Sequence, residues 1–240
     1  MPLPPPSPSP PAAPSIQRVR VAVVDSGIYP GHPHVGPVGG GIAFTGPDGP
    51  DDDYLDRLGH GTAVAAAIRE KAPDAELFAV KIFDRTLSTS IDRLVAAIGW
   101  AIDSGIHIIN LSLGTSRPEH RPALSELIDR AAAAGSLIVA AAEGDGIEWL
   151  PGSLPGVIGV GLDWTCPRDE YRVEQRKGRP VFLASGYPRS IPGVPPNRNL
   201  NGVSFAVANI SGFLSRRAGA DRAWTLEAAV AALLPDAVSV

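Results

Sequence analysis

RVRVAVVDSG, residues 18–27, reads as a short strand that ends in an acid and a sharp turn. The run from Arg18 to Val24 is apolar enough to be covered on both faces, as central parallel strands are. Ser26-Gly27 can turn the chain at once, so Asp25 is delivered at the carboxyl end of the strand. Ligand sites of open α/β sheets lie at those ends.

The same alternation continues outward. The Gly-rich stretch through Gly49 and the acids Asp51 to Asp53 read as an exposed, solvated connection. A compact helix is expected from His60 to before Pro73, a strand from Glu76 to Phe83, and a helix from Ser90 to Asp103. Ile91, Leu94, Val95 and Ile98 share one face of that helix. Further strands are expected at Ile106–Leu111 and Leu137–Ala142, with a helix over Ala123–Ala134 between them. Short strands follow at Gly156–Gly161 and Pro180–Ala184. Helices at Phe205–Arg217 and Leu226–Leu234 close the chain. The succession predicts an α/β fold, a doubly wound and mostly parallel central sheet flanked by helices.

The chain has 240 residues, enough for one large core. A hydrophobic fraction of 44% and a mean hydropathy of +0.07 favour a globular protein. The formal charge of −4 gives no reason to expect nucleic acid. Residues 1–15 are proline-rich and read as a disordered lead-in, leaving 16–240 as a single domain. They lack the basic start and apolar stretch of a secretory signal, and no eighteen-residue apolar run offers a membrane span. The expectation is a cytoplasmic protein without a membrane partner. Cys166 is the single cysteine, so no intramolecular disulfide forms, and a small core or loop residue is expected there.

Three separated segments carry the candidate chemistry: VAVVDSG at 21–27, GHGTAVA at 59–65 and NGVSFAVA at 201–208. They offer Asp25, His60 and Ser204, the side-chain types needed for nucleophilic attack on an amide carbonyl. Taken singly, each also reads as a turn or helix cap. The combination reverses that judgement. No G-x-G-x-x-G follows the first strand and no phosphate-binding G-x-x-x-x-G-K-[ST] loop occurs, so the chemistry is expected to be cofactor-free.

At these segments, and at AVKIFD (79–84), INLSLG (109–114) and LPGSLPGVIGVG (150–161), the chain resembles the subtilisin-like serine peptidases. The resemblance implies that Ser204 is the nucleophile, His60 the base, and Asp25 the acid that orients it. It implies an extended peptide or protein substrate paired with Ser112, Leu113 and Gly114. It also brings Trp149 to the wall of the pocket for the residue before the scissile bond, either narrowing that pocket or packing beneath it. Glu143, if it faced inward, would favour a basic residue there.

The sequence departs from the family pattern in several places. AAAEGDG at 140–146 stands where the family commonly has AAAGNEG, whose asparagine donates into the oxyanion hole. An ungapped match puts Gly144 there; treating Glu143 as an insertion puts Asp145 there. Glycine has no side-chain donor, and an ionised Asp145 repels an oxyanion, whereas a protonated one donates to it. Val203 replaces the threonine expected before the nucleophile. Phe205-Ala206-Val207-Ala208, followed by Asn209, replaces a small-small-proline stretch, which eases helix continuation. Ala63 replaces a second histidine, and the helix after His60 leaves little room for a calcium loop, so no metal is assigned. The leading expectation is a serine endopeptidase, selective or weak. The alternative is a catalytically impaired relative that binds peptides or proteins. An activating partner is not identified.

Overall fold

The computed structural model describes residues 18–46, 49–144, 146–217 and 224–239. The proline-rich lead-in and Asp145 lie outside them.

β1 (Arg20–Asp25) forms because Val21, Val23 and Val24 suit an extended backbone, and burial on both faces makes the apolar run stable there. Val21 and Val23 join one core and Ala22 and Val24 the other. β2 (Gly40–Ala43), β3 (Glu76–Lys81), β4 (Ile108–Leu111), β5 (Leu137–Ala141), β8 (Ile158–Leu162), β9 (Tyr171–Arg176), β10 (Arg179–Ala184) and β11 (Val238–Ser239) complete one sheet. Its order is β11-β9-β10-β8-β5-β4-β1-β3-β2. Only β9 against β10 is antiparallel. A separate hairpin joins β6 (Glu143–Gly144) to β7 (Ile147–Glu148).

Helices α1 (His60–Lys71), α4 (Val203–Arg217) and α5 (Leu226–Leu233) cover one face. Helices α2 (Ile91–Asp103) and α3 (Arg121–Ala133) cover the other. Every residue of α4 from Phe205 to Ser215 is buried, as an element packed on nearly all sides must be. Leu94 and Ile98 of the expected α2 stripe are buried, and Ile91 and Val95 pack partly against the same core. Ser90 caps that helix by accepting from the Arg93 N–H.

Five strands lie outside the expectations: the two-residue β6, β7 and β11, and the longer β2 and β9. β2 lies inside the Gly-rich stretch read as a connection, paired in parallel with β3 at the sheet edge. Gly41 permits it: a Cβ there would lie 2.5 Å from the Ala79 carbonyl oxygen and 2.7 Å from Tyr54 Cγ. β9 is polar and paired on β10 through a Lys177-Gly178 turn, so the apolar period used for the other strands does not reveal it.

The chain leaves β1 to build β3 and β2 on one side, then returns to place β4 on the other side of β1. The crevice at this reversal lies beyond the carboxyl ends of β1 and β4.

Candidate active site

Asp25 ends β1 and is fully buried. His60 is the first residue of α1. Its Nδ1 lies 2.8 Å from Asp25 Oδ1 and 3.0 Å from Oδ2. Oδ1 also accepts from the Ser26 N–H at 2.7 Å. This approach depends on Gly61: a Cβ there would lie 2.2 Å from the Gly27 carbonyl oxygen and 3.2 Å from Asp25 Cβ. The glycine of GHGT is thus where the start of the helix touches the end of the strand.

A second acid, not singled out in the sequence, ties the two segments together. Asp56 Oδ1 accepts from Ser26 Oγ, Leu58 N and Gly59 N, and Oδ2 accepts from Thr62 N and Thr62 Oγ1, all between 2.6 and 2.9 Å. Ser26 Oγ in turn accepts from Gly61 N at 2.9 Å. The signal available in sequence was only an acid four residues before a histidine, too common a pattern to single out.

The His60 ring is largely buried, 5.4 Å from the Phe205 ring between centroids. Burial opposes its protonation, but the hydrogen bond to Asp25 and the charges of Asp25 and Asp56 outweigh that and raise its pKa.

Ser204 is the second residue of α4 and is half-buried. Its Oγ donates to the Ser112 carbonyl at 3.1 Å, not to His60. Ser112 is held from below by a buried polar chain: Ser211 Oγ donates to Asn110 Oδ1, and Asn110 Nδ2 to Ser112 Oγ, each at 2.9 Å. This chain connects α4 to the end of β4. Leu113 and Gly114 continue the edge from Ser112 and are half-exposed. A cavity of about 470 Å³, with Phe83, Ile91, Leu94 and Leu113 in its wall, opens beside them. Asn209 anchors α4 from another side, donating to the Ser185 carbonyl at 2.9 Å.

Gly144 sits in β6 and Trp149 just beyond β7. The condition set for Glu143, an inward side chain free to meet a basic residue, is not met: Glu143 pairs with Arg176 of β9, and Glu148 pairs with Lys177. Trp149 is half-buried, between the Gly114 and Gly144 backbones. Cys166 is buried, its Sγ 3.5 Å from the Glu170 carbonyl, and burial raises its pKa. Neither feature suits a nucleophile. Asp53 pairs with Arg57 in the acidic loop. Among the described residues, no group of three or more His, Cys, Asp or Glu is arranged to hold a metal ion. No helix among them is long and apolar enough to cross a membrane.

The subtilase family (peptidase S8) matches residues 17–237. Subtilisin E of Bacillus subtilis (strain 168) is 31% identical over 233 residues, covering 87% of this chain and 57% of the relative. The thermostable alkaline protease of Halalkalibacterium halodurans is 34% identical over 214 residues, covering 80% of this chain and 55% of the relative. The chain therefore spans little more than half the length of these relatives. Among solved structures, a lanthipeptide protease superposes with a TM-score of 0.68 at 20% identity, covering 88% of this chain and 77% of that one. A cold adapted subtilisin-like serine proteinase gives 0.66 at 20% identity, covering 88% and 79%. At that identity the structural likeness speaks for the fold.

Proposed function

Because this chain belongs to the subtilase family, we propose that it is a serine endopeptidase acting through Ser204, His60 and Asp25. The observation that carries the reading is the 2.8 Å contact of His60 Nδ1 with a fully buried Asp25. It leaves Nε2 free for a hydroxyl, and the helix bearing Ser204 packs on the helix bearing His60.

In the proposed reaction a peptide lies extended along Ser112–Gly114, with an apolar side chain in the cavity beside Leu113. Ser204 Oγ turns from the Ser112 carbonyl, gives its proton to His60 Nε2 and bonds to the scissile carbonyl carbon. Asp25 holds the imidazolium. His60 then protonates the leaving amine as the C–N bond breaks, and water activated by the same imidazole hydrolyses the acyl-enzyme. The Ser204 N–H, in the first turn of α4, is one donor for the oxyanion. In the register that puts Gly144 at the oxyanion position, neither Gly144 nor Val203 adds a side-chain donor. Losing one such donor lowers turnover by about 10²–10³, so slow or selective cleavage is expected.

That same deficit favours the second reading, a peptide- or protein-binding relative with little catalysis. Time-resolved mass spectrometry of an unmodified peptide library separates them, run on the intact protein and on Ser204→Ala. Cleavage by the intact protein alone supports the peptidase. Peptide binding by both, with cleavage by neither, supports the binding protein. Equal cleavage by the two would remove Ser204 as the nucleophile.

A further inference from the structure

The indole of Trp149 bridges the backbone at Gly114, two residues beyond the Ser112 carbonyl that Ser204 touches, and the backbone at Gly144. A Cβ at Gly114 would lie 2.9 Å from Trp149 Cβ and 3.5 Å from its Cε3. A Cβ at Gly144 would lie 3.0 Å from Nε1, 3.8 Å from Cδ1 and 4.0 Å from Cε2. The benzo edge of the ring therefore rests near Gly114 and the pyrrole edge near Gly144. Both neighbours are glycine, and any side chain at either would run into the tryptophan.

The ring is held there by its own backbone. Trp149 N donates to the Ala142 carbonyl at 3.0 Å, and Leu150 exchanges hydrogen bonds with Thr115 at 2.8 and 2.9 Å. The hairpin before it is pinned to the β9–β10 turn by the Glu143–Arg176 and Glu148–Lys177 pairs. Trp149 is not deep core packing, since it stays half-exposed.

The slot also has a definable occupant. Ser204 Oγ touches the Ser112 carbonyl at 3.1 Å, and Gly114 is two residues further along that edge, about 7 Å away in extended chain. If the peptidase reading holds, a peptide paired with this edge and presenting its scissile carbonyl to Ser204 would carry the preceding side chain towards the space between Gly114 and Gly144. That space is taken by an indole, among the largest of side chains.

We propose that Trp149 closes this slot, so that the protein accepts glycine or alanine immediately before the scissile bond and excludes large side chains. The proposal rests on the peptidase reading for its position relative to Ser204. It makes Trp149 a specificity-determining residue that excludes by volume. Glu143 adds no charge preference, since Arg176 already engages it.

The test uses quenched peptides differing only in the residue before the scissile bond: Gly, Ala, Leu or Phe. The intact protein, Trp149→Ala and Trp149→Phe are compared, with fluorophosphonate labelling of Ser204 reporting the nucleophile independently. The intact protein is expected to favour Gly and Ala over Phe by about 100-fold in kcat/KM. Trp149→Ala should erase or invert that ratio, and Trp149→Phe, which keeps a ring in the slot, should retain most of it. Labelled protein that cuts after Phe as readily as after Gly would overturn the proposal, as would an unchanged profile in Trp149→Ala.

If Ser204 is neither labelled nor active, the peptidase reading fails separately. The slot is then judged by the affinity of Ser204→Ala for peptides ending in Gly or Phe. A preference for Gly that the added Trp149→Ala change removes upholds the closed slot; no such preference overturns it.

Discussion

Asp56 is the residue whose importance most exceeds what its place in the sequence suggests. Its two oxygens accept from both the turn after Asp25 and the start of α1, and its charge helps raise the His60 pKa. In the proposed reaction His60 must be neutral to accept a proton, so activity is expected to fall as pH drops through that raised pKa. Asp56→Asn removes the charge and turns one acceptor into a donor facing N–H groups. The acid limb of kcat/KM should move to lower pH, and kcat should fall about tenfold. A pH–rate profile checks this, because a purely structural role would lower activity without moving the limb. Asp25, His60 and Ser204 stood out in the sequence because each sits in a short, distinctive motif. Asp56 and Asn110 did not, since their roles consist of partners distant along the chain.

Between elements, the site depends on how closely strand and helices approach. Gly61 lets the start of α1 meet the end of β1, and Gly212 lets α1 and α4 touch, where a Cβ would lie 2.9 Å from Lys71 Cβ. Gly61→Ala forces a methyl against the Gly27 carbonyl oxygen. We expect a stability loss of about 1–3 kcal/mol and an activity loss of at least about 100-fold, since small displacements of reacting groups cost that much. Gly212→Ala should cost similar stability, through overpacking alone, with a smaller fall in kcat. Thermal melts and kcat of the two variants, measured side by side, would show equal activity losses if Gly61 had no special place at the site. The helices and buried strands were legible at this scale because their apolar periods are strong. β2 and β9 were not, because their pairing comes from the neighbouring strand and not from their own side chains.

Across the whole molecule, α4 is the pillar around which one half of the core is built, with Phe205, Phe213 and Leu214 almost fully buried. α5 buries only Ala229 and Leu233. Native-state hydrogen exchange should therefore show α4 and the central β1 and β4 amides opening only with global unfolding, while α5 exchanges through local opening. Equal protection in α4 and α5 would mean that the terminal helix shares fully in the cooperative core. Rigidity of that kind would suit the proposed site, because each of its three side chains would then sit on an element that does not move independently.

The sequence by itself determined the α/β architecture and singled out Asp25, His60 and Ser204 as the candidates for the proposed reaction. Those properties are written in local periodicity and short motifs. Only the tertiary structure decided that Glu143 is neutralised by Arg176, that Ser204 rests on the Ser112 carbonyl, and that Trp149 lies between Gly114 and Gly144. Each of these follows from packing between residues far apart along the chain, where local sequence carries no record of the partner.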